Sequence, residues 1–444
     1  GHDGPRGPGT GQDGSTESHK RGNILYHKEV LPNGVRILTE RIPHFHSVSM
    51  GIWVNVGSRD ELNRERGITH FIEHMLFKGT QKRSAREIAK ELDSVGGFVN
   101  AFTSKEQVCF HAKVLHPHLP LVVDVLTDIF LNSVFAPVEI TREQQVITQE
   151  IRMIEDTPDE YVHILFQQMF WKDNPLGAPI YGTIEAVERI DRECILQYLS
   201  RMFQPDRIVV AAAGNLDHRR FMDLVAPVMG ALNHPKHTLV RQKPAVCPGI
   251  LPVPKDLEQV HLCLGMRGPC QSEESRFLCH LLNVVLGSSM SSRLFQEVRE
   301  NRGLAYSIYS FINSHEDTGL FGIYAGIAEE HVLETLDIIR GQLSILLKEC
   351  IPEAELKAAK EYLKGNMYLN AESTDSRMNR LAKNEFLFGR YVPYEEVAES
   401  IDRVTSDAVQ KWFEDLYQPS QAALILFGPV EQGTGEQATA VLNG

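Results

Sequence analysis

The sequence predicts an α+β fold, an α/β sandwich of two duplicated domains, each a mainly antiparallel sheet packed with helices. Three observations carry this prediction. Short apolar runs with strand periodicity and turn signals alternate with longer helical patterns. Segments of the first half recur in the second at an offset of about 212 residues, which is the signature of a duplicated unit. The length, 444 residues, also exceeds what one ordinary core takes.

Residues 1–22 are Gly-rich and polar with no apolar h-region, so they are expected to be a disordered tail and not a signal peptide. Residues 28–40 read as two short strands around an Asn33-Gly34 hairpin turn. Residues 47–56 alternate as a strand that Gly57-Ser58 ends. Helices follow, one carrying residues 70–74 and one over 84–95, then a strand pair over 97–114. An apolar helix near 117–133, another over 137–155 and more helices to about 201 precede a buried strand at 207–213.

The repeat is visible in two places. Phe203-Gln204-Pro205 before RIVVAAAGNL is echoed by Tyr417-Gln418-Pro419 before AALILFGPV, and SVSMGIWVNVGSRDE by QVHLCLGMRGPCQSE. Between the halves, residues 232–257 carry five prolines and little periodicity, as an extended linker would. The expected division is a first domain over 23–231, the linker, a second domain over 258–430, and a tail over 431–444.

Composition excludes several classes. Hydrophobic residues make up 42% and charged residues 23%, as in globular proteins generally. A net charge of −13 argues against nucleic acid or an anionic membrane as partner. No apolar run reaches the ~18 residues a membrane span needs. The seven cysteines, Cys109, Cys194, Cys247, Cys263, Cys270, Cys279 and Cys350, are scattered without a C-x-x-C and read as buried or incidental thiols. With no export signal in view, a bacterial cytoplasm is the expected compartment and a mitochondrial matrix the second.

The chemistry concentrates in His70-Phe71-Ile72-Glu73-His74. Positions i, i+3 and i+4 share one helix face, so two imidazoles can hold one cation while a carboxylate reaches a water beside it. The order H-x-x-E-H inverts the commoner H-E-x-x-H and serves the same end, metal-assisted hydrolysis. The surrounding helix is apolar, and a metal would satisfy polar groups that are otherwise costly to bury. A catalytic zinc site needs a third protein ligand and an open position. Helix 142–155 offers Glu143 and Glu150, two turns apart on one face, of which one could ligate and the other support. Spacing alone does not say that this helix meets the first.

With these residues in hand, the chain resembles the pitrilysin/insulinase family of inverzincin zinc metallopeptidases, particularly its short two-domain members akin to bacterial and mitochondrial processing peptidases. The resemblance covers roughly residues 23–430. It implies a glutamate ligand 76 or 77 residues after the second motif histidine, with another glutamate seven residues earlier. Glu150 and Glu143 stand at those positions. By resemblance His70, His74 and Glu150 hold one Zn2+ per chain, Glu73 is the general base and Glu143 a supporting carboxylate. The run GGFVNAFT matches the family's edge strand, which implies substrate contacts at Gly97, Asn100, Ala101 and Phe102.

The second half lacks the metal motif, reading Cys279-His280-Leu281-Leu282-Asn283 there. It carries Arg299 and Tyr306 at the spacing of a family pair that contacts the substrate backbone near the cleaved bond. Gly287-Ser288-Ser289 has one glycine where related α subunits have a glycine-rich loop, so that loop's role does not transfer. The implied activity is zinc-dependent endopeptidase cleavage of unfolded or extended peptides in a chamber between paired chains. A homodimer is expected, a heterodimer with an inactive sister subunit being the alternative for assembly. The competing functional reading is a non-catalytic core or scaffold subunit of the same fold.

Overall fold

The computed structural model describes residues 17–21, 24–431 and 433–443. The strands are β1 (Glu17–Arg21), β2 (Ile24–Val30), β3 (Arg36–Arg41), β4 (Ser47–Val54), β5 (Phe98–Thr103), β6 (Val108–Leu115) and β7 (Ile208–Gly214) in the first half. The second half has β8 (Gly249–Pro254), β9 (Val260–Gly268), β10 (Ala305–Ser314), β11 (Gly319–Ile327) and β12 (Ala423–Gly428). They form a seven-stranded sheet, order β1-β2-β3-β7-β4-β6-β5, and a five-stranded sheet, order β10-β11-β9-β12-β8. Read from the other edge, β8-β12-β9-β11-β10 repeats β3-β7-β4-β6-β5 strand for strand. The pairing sense repeats too: β3 with β7 and β8 with β12 are parallel, and every other pair is antiparallel. The duplication legible in the sequence is thus a duplication of sheet topology.

Both sheets are buried on two faces, which is why their central strands are apolar at successive positions. In β7, Ile208, Val210 and Ala212 face the main core of the first half, while Val209, Ala211 and Ala213 face the other way. That second face is covered by Met378, Leu381 and Ala382 from the helix Thr374–Phe388 of the second half. The exchange is reciprocal. Helix Pro158–Phe170 of the first half lays Val162, Phe166 and Phe170 on Cys263, Leu320, Ile425 and Phe427 of the second sheet. Gly265 marks the closest approach, since a Cβ there would meet Phe166 Cζ at 2.5 Å.

The structure corrects three boundary expectations. Glu17–Arg21, expected in the disordered tail, pairs with β2; residues 1–16 and 22–23 lie outside the described residues. The linker contains β8, because Pro252 and Pro254 sit on a strand at the sheet edge, where missing N–H donors cost least. The expected C-terminal tail holds a helix, Thr434–Asn443, whose Ala438 and Leu442 enter the second core. The seven cysteines are free thiols, with Cys109, Cys263, Cys270 and Cys279 buried. Among the described residues no helix is long and apolar enough to cross a membrane.

Candidate metal centre

The motif residues lie on the helix Ile68–Leu76, which is positioned from its N-terminus. Gly67 takes φ +90°, a left-handed conformation a side chain would resist. The Gly67 and Thr69 N–H groups donate to the two oxygens of buried Glu61 at 2.8 and 2.9 Å, which places a carboxyl at the positive end of the helix dipole. Ile68, Phe71, Ile72 and Met75 enter the core, which leaves His70, Glu73 and His74 together on the opposite side. The second helix, Pro137–Glu155, starts with proline at a position needing no N–H bond and buries Ile140, Glu143, Ile147 and Ile151 along one stripe. Packing of that stripe brings Glu143 and Glu150 to the first helix.

His70 Nε2 lies 3.6 Å from Glu150 Oε1 and His74 Nε2 lies 3.5 Å from Glu150 Oε2. Ligand atoms of all three residues fall within 4.8 Å of one another. These separations are long for hydrogen bonds. Each histidine faces a different oxygen of Glu150, and the three side chains converge closely enough for one cation to lie among them. Two imidazole nitrogens and one carboxylate are also a donor set that suits zinc and leaves one position open. The other nitrogen of His74, Nδ1, faces Glu143 Oε2 at 3.7 Å, and that oxygen is buried without a hydrogen-bond partner. A metal held by His74 would make its remaining ring proton more positive, and Glu143 would be placed to hold that proton. The three residues and their surroundings fit zinc.

Electrostatics separate the two imidazoles. Burial, with the His74 charge beside it, pushes His70 down to about 4, so it stands neutral and ready to ligate. Burial alone would also lower His74, but the nearby carboxylates of Glu143, Glu150 and Glu73 outweigh it and raise its pKa. Glu143 moves the other way: burial would raise it, and His74 together with Lys78, whose Nζ sits 2.8 Å from Oε1, lowers it. Burial raises Glu73, against a 2.6 Å hydrogen bond that Thr103 Oγ1 donates to its Oε2. A carboxyl with a raised pKa beside the cation position is suited to taking and returning a proton.

Sequence reasoning missed Thr103, Lys78 and Lys105. Alternation would have found Thr103, because Val99 and Ala101 on the same face of β5 pack against the first core. Lys78 is four residues past His74, in line with the motif face.

Among the described residues, strand β5 is the free edge of the first sheet and pairs with β6 alone. Gly97 just precedes it, and its missing side chain lets Val114 approach (a Cβ would meet Val114 Cγ1 at 2.7 Å). Asn100 is exposed and its Oδ1 accepts the Ala101 N–H at 2.9 Å. Ala101, Phe102 and Thr103 border a pocket of about 390 Å³ that also touches His70, Glu73 and Glu150. The Phe102 ring itself packs edge-on against Trp53 and His111.

Arg299 and Tyr306 are not brought to this centre within the chain. The Arg299 guanidinium lies over the rings of Tyr306 and Phe295, at 4.6 and 4.8 Å, and Tyr306 is 79% exposed. Every residue bordering the pocket lies between His70 and Tyr181. Arg299 sits in a short π-helical segment, Phe295–Glu300, and Tyr306 on β10, the edge strand of the second sheet that corresponds to β5.

Comparison with known proteins bears out the family resemblance. Residues 36–184 match the insulinase family (peptidase family M16), and residues 189–363 match the peptidase M16 inactive domain. The chain belongs to peptidase family M16. It is 40% identical over 394 residues to the uncharacterized zinc protease YmxG of Bacillus subtilis, covering 89% of this chain and 96% of that one. An uncharacterized zinc protease of Streptomyces coelicolor is 38% identical over 412 residues, covering 91% and 90%. Among solved structures, a protease from Helicobacter pylori superposes with a TM-score of 0.84 at 20% identity, covering 94% of this chain and all of that one. A Pseudomonas fluorescens peptidase M16 inactive domain gives 0.85 at 18% identity, covering 91% and 98%. These two support the two-sheet α+β fold alone.

Proposed function

We propose that this chain is a zinc metalloendopeptidase acting on unfolded or extended peptides, with one zinc per chain on His70, His74 and Glu150. The observation that carries the reading is the convergence of ligand atoms of His70, His74 and Glu150 within 4.8 Å of one another, with the Glu73 carboxyl beside them. Its relatives' description as zinc proteases supports it. Zinc bound there supplies Lewis acidity towards a carbonyl and makes water a better nucleophile. Glu73, held by Thr103, takes the proton of the attacking water and passes it to the leaving amine. Glu143 fixes the tautomer and orientation of His74.

Substrate adds to the free edge of β5 by main-chain pairing, which reads an extended backbone more than a sequence. Gly97, Asn100, Ala101 and Phe102 form that edge, with Asn100 and Ala101 beside the scissile bond. Half-buried Arg299 and exposed Tyr306, both outside the pocket within one chain, serve the site of a paired chain by donating hydrogen bonds to the substrate backbone. This makes a homodimer the working assembly, with a heterodimer as the alternative. The domain division near 23–231 and 258–430 belongs to the same reading, as does a bacterial cytoplasm, ahead of a mitochondrial matrix, as the place of action.

The test is zinc content and cleavage of a quenched peptide library by the purified chain. Glu73→Gln is expected to keep its zinc and to lose turnover by roughly 10²–10⁴-fold. A zinc-replete wild-type chain that cuts no peptide would favour the scaffold reading instead.

A further inference from the structure

Lys105 is a cation in the pocket beside the metal centre that the reading above does not use. It stands in the turn between β5 and β6, and its backbone is pinned: its carbonyl accepts the Arg59 N–H at 2.8 Å, and the neighbouring Ser104 carbonyl accepts that of Ser58 at 3.1 Å. A Cβ at Gly57 would meet Ser104 O at 2.4 Å, so the two segments are in close contact. The ammonium donates to Ala178 O at 2.6 Å. An ammonium has three donors. Among the described residues no carboxylate lies within ion-pair distance of this one, which leaves donors free at the pocket. Burial pushes Lys105 down to about 8, against the pull of Glu61, so it remains a cation at neutral pH.

The rest of the lining says what those donors meet. Phe102, Ile154, Ile164, Ile180 and Tyr181 make the walls largely apolar, and Glu73, Glu150 and Glu160 add carboxylates. An apolar stem therefore fits, and an anionic tip would face three carboxylates for one ammonium. We propose that this pocket selects, at a position flanking the scissile bond, a side chain with an apolar stem and an uncharged acceptor tip, of which glutamine is the type, and that Lys105 is the selecting residue. The inference rests on the peptidase reading. A buried donor left unpaired by an apolar occupant is what makes a polar subsite discriminate.

The experiment uses the zinc-loaded full chain and quenched peptides differing only at each of the two residues flanking the cut, as Gln, Met or Glu. At one of those positions wild type should favour Gln over Met by about tenfold in kcat/KM, with Glu poorer than Gln. Lys105→Met should bring the Gln-over-Met ratio close to one whatever its absolute rate, and Lys105→Arg should retain part of it. A merely structural role for Lys105 would lower all rates together and leave the ratio intact, which overturns the proposal. So does wild type cutting Met as well as Gln at both positions, a comparison that stands even if Lys105→Met does not fold. Preference for Glu over Gln overturns it as well. Failure of the peptidase reading shows differently: no peptide is cut by zinc-loaded wild type, and this inference falls with it.

Discussion

Replacing Glu143 with Gln tests how the metal centre is tuned without touching a ligand. The carboxylate is 2% exposed, with one oxygen 2.8 Å from Lys78 Nζ and the other facing His74 Nδ1 at 3.7 Å. Gln keeps the volume and removes the charge. Loss of such a partner costs about 10–100-fold in metal affinity, or about 1.4–2.8 kcal/mol. The same charge also raises the proton affinity of His74, and a proton there competes with zinc. Above the His74 pKa both proteins present a neutral imidazole, and the whole deficit shows. As pH falls, wild type meets proton competition first and loses affinity earlier, so the gap between the two proteins closes. The assay is competition with a chromophoric chelator at about pH 8.5 and about pH 6, either side of the ordinary imidazole value. Equal zinc affinity at the higher pH refutes the assigned role. A deficit that is the same at both pH values refutes the coupling through His74.

Two further predictions concern the contact between the halves. Met378→Ala removes a fully buried side chain from the helix that covers the far face of the first sheet, and should cost about 2–5 kcal/mol in urea unfolding. Arg59→Met breaks a buried ion pair. Arg59 donates to Glu106 at 2.6 Å and to both oxygens of Asp317 at 2.8 and 2.7 Å, so its loss strands carboxylates from both halves and should cost about 3–5 kcal/mol by the same measurement.

Much of the site was legible in the sequence because its determinants are local or periodic. Helical spacing puts His70, Glu73 and His74 on one face whatever the helix packs against, and it stacks Glu143 over Glu150. That the two helices meet was not legible from spacing, since nothing in either helix names its partner; the family resemblance supplied it. What escaped altogether depends on long-range placement. Thr103 reaches Glu73 only because β5 lies beside the motif helix, and Lys105 enters the pocket only because the 104–106 turn is pinned to residues 58–59. The strand at 249–254 was hidden by prolines that look like linker until a sheet edge with no demand for their N–H groups is in place. The covering helix Thr374–Phe388 is polar enough to read as a solvated helix. Its buried Met378, Leu381 and Ala382 make sense only once a second sheet face needs cover.

That exchange also accounts for a half that has kept its fold while lacking the metal motif. Every candidate ligand among the described residues lies within residues 70–150, yet the strand beside them is also held from elsewhere. Trp53, on the face covered by the helix Thr374–Phe388, packs at 5.3 Å against Phe102 of β5. The turn after β5 is tied through Glu106 and Arg59 to Asp317 in the β10–β11 connection. Glu316 strengthens that tie, its N–H donating to Glu106 Oε2 at 3.0 Å. Without the second half, Leu38, Trp53, Val209 and Ala211 would face water, and Arg59 with Glu106 would lose a partner. The edge strand that carries Thr103 to Glu73 would then keep its pairing with β6 and the contacts of Val99 and Ala101 with the first core, and would lose the support that reaches its other face through Trp53 and Phe102. A strand held firmly on one face alone is weaker support for a positioned hydrogen bond. The first site thus depends on the packing faces and the 315–317 turn of the second half, whose own Cys279–Asn283 segment gives Cys279, Leu281 and Leu282 to its core.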